Sequence, residues 1–368
     1  MRVVLAGGGT GGHVIPALAI ARELQEAHHA AVLFIGTSRG IETRLVPAAG
    51  YKLELVEVGA LKNVGTLTRL ATLIALPRAV VRASKLLKEF GADVVIGVGG
   101  YASGPAMLAA VLGRIPTLAF ESNVVPGFAN RIIATHVRAA AVHFEETARY
   151  FPTAVVSGVP VRREFFNLPP RPAGSPPSLL VFGGSQGASA LNRVMTATLP
   201  LLNSAVPGLR IVHQTGPGDL EQVQAAYREA GMELCGSGRP ARENEAEVSA
   251  FIDQMPEAFA AADLLLCRAG ASTVAEVTAA GKPAIFVPFP RASDDHQLRN
   301  AQALERAGAG QIIPEAELTP EKLAVAMAAL LKDRSRLAEM SAAARKLARP
   351  DAAQRIAAMA VELSLARA

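Results

Sequence analysis

The chain has 368 residues, half of them hydrophobic (50%), with a mean hydropathy of +0.27 and a formal net charge of +5. That length suits two globular domains better than one, and two cysteines alone, Cys235 and Cys267, fit a reducing compartment better than a disulfide scaffold, though one bridge stays open; their spacing makes no metal site. The apolar start stops at Ala6, short of a signal peptide; Val94–Gly113, uncharged but interrupted by glycines and Pro105, reads as strand, loop and helix rather than a membrane span.

In chain order, short apolar runs alternate with longer Ala/Leu-rich helical stretches. The runs are "RVVLA" from Arg2, "AVLFIGT", "DVVIGVG" and "IPTLAF", then "SLLVFGG" from Ser178, "LRIVHQ", "DLLLC" and "PAIFVPF". This alternation predicts an α/β fold of parallel sheets covered by helices. Between the two sets, "LPPRPAGSPPS" from Leu168 resists helix and central strand alike, and reads as a linker. Each half opens with the same device: a strand, a glycine loop, and a helix ("RVVLAGGGTGGH", "SLLVFGGSQGAS"). Two similar nucleotide-binding halves facing a cleft is the simplest architecture. After Pro350, "DAAQRIAAMAVELSLA" resumes a helix that would pack back on the first half.

A glycine loop at a strand end exposes backbone N–H groups, and the following helix start favours phosphate. Gly7, Gly9 and Gly12 also satisfy G-x-G-x-x-G. However, the second strand ends in Thr37, Ser38 and Arg39 in place of the acidic ribose partner of a dinucleotide site, so an NADP-type reading is the most that pattern allows. No Gly-Lys-Ser/Thr follows, against a Walker loop. In the second half, "GGSQGA" places Ser185 at a diphosphate cradle, and Arg162 in "GVPVRREF" is able to reach negative charge. "CRAGASTVAEVTAAG" repeats the strand, glycine and helix order; its Thr273 and Glu276 also match a T-x-x-E capping box, a purely structural role.

Together "GGGTGGHVIPALA", "GVGGYASGP", "ESNVVPG", "GVPVRREF", "GGSQGA", "FIDQMPE", "CRAGASTVAE" and "DDHQLRNA" closely resemble the MurG family, the peptidoglycan N-acetylglucosaminyltransferases of glycosyltransferase family 28. The likeness runs from residue 1 to about 350. It implies a GT-B fold of two Rossmann-like domains with parallel sheets facing a cleft. Residues 1–162 would form the acceptor and membrane side, joined by a C-terminal helix at about 351–368, and 163–350 would bind UDP-GlcNAc.

The activity implied is inverting transfer of GlcNAc from UDP-GlcNAc to the C4 hydroxyl of MurNAc in lipid I, giving lipid II. Other readings are a different GT-B lipid glycosyltransferase or a non-catalytic UDP-sugar-binding module.

Carried onto this chain, the family pattern puts Thr10, Gly11, Gly12 and Asn123 beside the donor sugar and diphosphate. Arg162 and Ser185 would hold the diphosphate, and the Ile252 backbone would meet uracil. The turn Ala271, Ser272, Thr273, Val274, Ala275 and Glu276 would bind sugar and ribose, with Glu276 on the ribose hydroxyls. Gln297, together with His296, would contact GlcNAc hydroxyls. His13 is the candidate base and Glu121 a further acidic candidate, although Phe120 and Ser122 depart from the family's usual histidine and glutamine there. Tyr101, Ser103 and Gly104 would lie on the acceptor side. No D-x-D triplet occurs, so the expectation is a reaction with no required cofactor or metal, UDP-GlcNAc being a substrate.

The lipid-borne acceptor implies a peripheral protein on the cytoplasmic face of the bacterial inner membrane, bound to anionic phospholipid, with cell-wall synthesis and division proteins as partners. Residues 61–90 carry six basic residues against Glu89 alone. Leu70, Leu73, Ile74 and Pro77 would gather beside a stripe of Arg78, Arg82, Lys85 and Lys88, a pattern suited to peripheral attachment. Aromatic residues make up 5% of the chain and do not interleave with basic ones, so nucleic acid is not expected.

Overall fold

The computed structural model describes residues 1–58, 66–172, 174–184, 187–236, 243–292 and 295–366, with backbone alone for 66–74. Contacts divide the chain into two compact units, Met1–Val161 with Arg349–Ala368, and Arg162–Ala348. The division falls at Val161/Arg162, ahead of the Pro-rich stretch. That stretch does not separate the units: Arg171 within it pairs with Asp263 and donates to Pro176 O at 2.7 Å, both in the second unit.

In the first unit the elements are β1 (Arg2–Gly7), α1 (Gly11–His28), β2 (Ala31–Gly36), α2 (Glu42–Ala48), β3 (Lys52–Leu55), α3 (Thr66–Phe90), β4 (Val94–Gly99), α4 (Ser103–Leu112), β5 (Thr117–Glu121), α5 (Phe128–Ile133), β6 (Ala139–Val142), α6 (Glu145–Ala148) and β7 (Ala154–Val156). The second unit opens with a 3-10 turn, Arg163–Asn167. There follow β8 (Ser178–Phe182), α7 (Ser189–Ala205), β9 (Arg210–Gln214), α8 (Leu220–Glu229), β10 (Glu233–Cys235), β11 (Glu245–Ser249), α9 (Met255–Ala261), β12 (Leu264–Cys267), α10 (Ala271–Ala280), β13 (Ala284–Phe286), α11 (His296–Arg306), β14 (Gly310–Ile312), α12 (Pro320–Lys332) and α13 (Arg334–Leu347). The last helix, α14 (Ala352–Leu365), belongs to the first unit and packs on α1.

The two sheets run β3-β2-β1-β4-β5-β6-β7 and β10-β11-β9-β8-β12-β13-β14, every neighbouring pair parallel. Helices cover both faces, which is why β4, β8 and β12 are buried throughout and read as unbroken apolar runs. Each unit has its own core. Val4, Ile35, Val95, Leu87 and Met107 lie in the first; Leu179, Val181, Leu191, Leu264 and Met327 in the second. Burying each such side chain contributes about 1.5–3 kcal/mol.

The five-strand order 3-2-1-4-5 recurs in both sheets, as β3-β2-β1-β4-β5 and β11-β9-β8-β12-β13. Strand order reverses beside β1 and beside β8. Ligands of such sheets bind outside the carboxyl ends of the strands at that reversal, and both glycine loops stand there.

Candidate functional site

In the first unit, β1 runs into Gly8 and Gly9, and Thr10 precedes α1 as N-cap without its hydroxyl capping the helix. Gly11 and Gly12 open the first turn, where N–H groups have no acceptor within the helix. The loop is tied down from two sides. Gly8 N–H donates to Gly99 O at 3.2 Å, and Gly9 N–H donates to Glu42 Oε2 at 2.7 Å. Glu42 also accepts from the Thr37 N–H and hydroxyl, each at 3.0 Å, and is 1% exposed. Burial pushes this carboxyl up, but the hydrogen bonds from Gly9, Thr37 and its own N–H outweigh that and hold it below the usual carboxylate range. It is therefore a buried anion under the loop. Nothing in "IETRLVPA" distinguishes it by sequence from a surface helix glutamate.

His13, partly buried in the first turn of α1, has Nδ1 3.1 Å from Gly8 O. A carbonyl oxygen only accepts, so this contact is a hydrogen bond when Nδ1 carries the proton, the tautomer that leaves Nε2 its lone pair. A Cβ on residue 99 would stand 2.9 Å from Nε2; glycine there, at φ +90°, keeps that edge clear.

At the end of β5, Glu121 is 4% exposed, and its carboxylate accepts from Asn123 N–H (3.0 Å), Asn123 Nδ2 (3.1 Å), Gly127 N–H (2.9 Å) and Asn130 Nδ2 (3.0 Å). Four donors from its own loop and helix occupy both oxygens, so the geometry fits Glu121 as the organiser of the loop that presents Asn123 rather than as a proton carrier. After β4, Tyr101 is half-exposed and Gly104 partly buried, but Ser103 is wholly buried beneath Gly97. Ser103 is the first residue of α4, and its Oγ has no hydrogen-bond partner among the described residues.

In the second unit, Ser185 lies outside the described residues. Gln214, at the end of β9, joins the flanking loop to the next: its Nε2 donates to Gly184 O and its Oε1 accepts from Ile252 N–H, both at 2.9 Å. The Ile252 N–H is therefore already satisfied, which leaves its carbonyl to meet a base. Phe251 beside it is 55% exposed. Gln214 was not singled out by sequence, although "HQTG" at a strand end before glycine is the kind of place to look.

The helix α10 begins at Ala271 with Gly270 as N-cap and no side-chain cap. Thr273 is thus the third helical residue, and the T-x-x-E capping box does not form. Ser272 Oγ is buried with no hydrogen-bond partner among the described residues. An uncapped helix start with an orphaned hydroxyl is a ready seat for a polar anionic ligand. Val274 and Ala275 have buried side chains, at 0% and 3% exposure, and Val274 N–H donates to Gly270 O, so at these two positions the helix start offers backbone rather than side chain.

Burial pushes the Glu276 carboxyl up to about 7 against the pull of Arg162, which is exposed and stacks over the Phe165 ring at 5.1 Å. Gln297, on α11, accepts with Oε1 from Ala269 N–H at 3.3 Å and Phe289 N–H at 3.0 Å, clamping the loops after β12 and β13 and leaving its amide NH2 for a ligand. His296, adjacent on α11, is partly buried.

On α3, Arg78, Arg82 and Lys85 are exposed opposite the buried Ala79, Ala83, Leu86 and Leu87. Arg82 pairs with Glu54 at 3.4 Å and Lys85 with Glu89 at 3.6 Å. The side chains of Leu70, Leu73 and Ile74 lie outside the described residues. Among those described, no helix is long and apolar enough to cross a membrane, and no cluster of three His, Cys, Asp or Glu could hold a metal ion.

Comparison with known proteins agrees with this geometry. Residues 3–142 match the glycosyltransferase family 28 N-terminal domain and 178–356 the family 28 C-terminal domain. A protein of Solibacter usitatus named UDP-N-acetylglucosamine--N-acetylmuramyl-(pentapeptide) pyrophosphoryl-undecaprenol N-acetylglucosamine transferase is 45% identical over 98% of this chain and 96% of its own. One of the same name from Myxococcus xanthus is 46% identical over 99% and 93%. The crystal structure of Acinetobacter baumannii MurG superposes with a TM-score of 0.81 at 35% identity, covering 98% of this chain and 99% of that one. With both family domains matched in order and relatives similar from end to end, the chain belongs to glycosyltransferase family 28.

Proposed function

We propose that the chain transfers GlcNAc from UDP-GlcNAc to the C4 hydroxyl of MurNAc in lipid I, with inversion, giving lipid II and UDP. End-to-end similarity to enzymes named for that transfer carries the reading, and the chemistry of each unit supports it.

The roles divide by unit. In the second, the open start of α10 with Ser272, the Glu276 carboxylate and the Gln297 amide recognise the sugar nucleotide: ribose hydroxyls donate to Glu276, and a GlcNAc hydroxyl accepts from Gln297. The Ile252 carbonyl accepts from uracil, beside the Phe251 ring. Arg162 and Ser185 hold the diphosphate. In the first, Thr10, Gly11, Gly12 and Asn123 line the donor, Tyr101 and Gly104 face the acceptor, and His13 is the base.

The acceptor hydroxyl gives its proton to His13 Nε2 while its oxygen forms a bond to the anomeric carbon. The bond from that carbon to the diphosphate oxygen breaks, and its electron pair leaves on UDP. Negative charge growing on the diphosphate meets Arg162 and helix-start amides, groups whose effect is largest where water is excluded. The sequence of steps calls for no cofactor.

Transfer of labelled GlcNAc from UDP-GlcNAc to a lipid I analogue, with UDP-galactose as the control, tests the reading. Labelled product is expected with the first donor alone. His13→Ala is expected to lower kcat by about 10²–10⁴ with the donor Kd unchanged, the range general-base loss produces. Near-native turnover in that variant removes His13 from the reaction.

We place the protein at the cytoplasmic face of the inner membrane, bound peripherally through α3. Retention on anionic liposomes at low salt, lost on Arg78→Glu with Lys85→Glu, is the expected result. Equal retention on neutral liposomes would refute an electrostatic attachment.

A further inference from the structure

We propose that Glu42 is a positioning residue for the base, fixing the tautomer and orientation of His13 through a single peptide group. The inference rests on His13 acting as the base, as set out above. The Gly8–Gly9 peptide carries both contacts. Its N–H donates to Glu42 Oε2 at 2.7 Å, and its C=O faces His13 Nδ1 at 3.1 Å.

A carboxylate drawing on the amide hydrogen shifts electron density toward the carbonyl oxygen of the same group, and linked hydrogen bonds strengthen one another. Nδ1 therefore holds its proton, and Nε2 presents its lone pair. A carboxylate touching the histidine directly performs this service in hydrolytic triads. Here a peptide stands between the two.

The surroundings of Glu42 are shaped to the link. It is 1% exposed, so it does not touch substrate. A Cβ at residue 8, where φ is +154°, or at residue 40 would overlap its carboxylate, so glycine at both positions is what admits the anion. Thr37 gives Oε1 two donors, and Oε2 accepts from Gly9. On the far side, Gly99 O holds Gly8 N–H, so the peptide that joins Glu42 to His13 is fixed from both flanks.

Glu42→Gln keeps the size and one acceptor oxygen and removes the charge. The expected result is a fall in kcat of about tenfold or more, with the KM for UDP-GlcNAc held within about twofold, as for a group acting on the chemical step alone. In a His13→Ala background the same substitution is expected to change kcat by less than about twofold, because residues that act as one unit are non-additive. Nitrogen NMR on histidine-labelled native protein should show His13 protonated at Nδ1 and bare at Nε2, and in Glu42→Gln a mixture of the two tautomers.

Equal losses in both backgrounds overturn the link, as does protonation at Nε2 in the native protein. Native turnover in His13→Ala overturns the base itself, whereas a slowed His13→Ala with an additive loss from Glu42→Gln overturns only the link. If Glu42→Gln does not fold, the native spectrum decides between the same two tautomers.

Discussion

In the proposed donor site, Glu276 ties recognition of the ribose to protonation. With its carboxyl pushed up to about 7 by burial, it is about 10% ionised at pH 6, about half at pH 7 and about 90% at pH 8. A carboxylate accepts from two ribose hydroxyls at once, while the protonated form gives up part of that capacity. If only the ionised form binds well, the apparent Kd rises by about tenfold between pH 8 and pH 6. The perturbation is Glu276→Gln, which has no proton to lose. Its affinity should be flat across this range and, at pH 8, weaker than native by about 1–2 kcal/mol, the difference between a charge-assisted and a neutral hydrogen bond. Calorimetry with UDP-GlcNAc is the assay, since both its phosphates are esterified and its charge stays constant. A native Kd that does not move from pH 8 to pH 6, or an equal slope in Glu276→Gln, refutes the assignment.

The same raised carboxyl gives a stability prediction of opposite sign. Between pH 4.5 and about 7 the folded state binds more protons at this site than the unfolded chain, so its contribution to stability falls as pH rises through that window. Glu276→Gln should therefore melt above native at pH 8 and level with it at pH 4, by calorimetric Tm. Gln297→Glu keeps the oxygen that accepts from Ala269 and Phe289 but replaces the NH2; the KM for UDP-GlcNAc should rise about tenfold while inhibition by UDP is unchanged, as loss of a sugar contact requires. Glu121→Ala removes four hydrogen bonds from one loop and should lower stability by about 2–4 kcal/mol in denaturant titration, a loss larger than a surface carboxylate produces.

Much of the fold was legible because central parallel strands are buried on both faces. The eight runs picked out by apolar content are β1, β2, β4, β5, β8, β9, β12 and β13, the middle of each sheet. The strands passed over lie toward the edges, and each lacks that signal for its own reason. "AAAV" of β6 is alanine-rich and reads as helix, "KLEL" of β3 carries charge on an edge, and "EAEVS" of β11 alternates charged with apolar residues. The paired glycine loops were equally plain, since a strand running into glycine is a local pattern. The capping box at Thr273 failed because a helix start is set by backbone geometry, and Gly270 takes the cap three residues before the threonine. Glu42 and Gln214 were invisible for a different reason. Each acts on a loop distant in sequence, Gly9 in one case and Gly184 and Ile252 in the other, and no spacing rule connects them.

The chain enters the second unit at Arg162 and comes back at Arg349 to lay α14 against α1. During synthesis the ribosome therefore releases every strand of the first unit long before the helix that completes it. The second unit is one continuous stretch, whereas the first, whose last strand ends at Val156, is closed by a helix that begins at Ala352, so its completion depends on a segment from the far side of its neighbour in sequence. A chain truncated at Ala348 would keep every element of the second unit and leave the surface of α1 that α14 covers open to solvent.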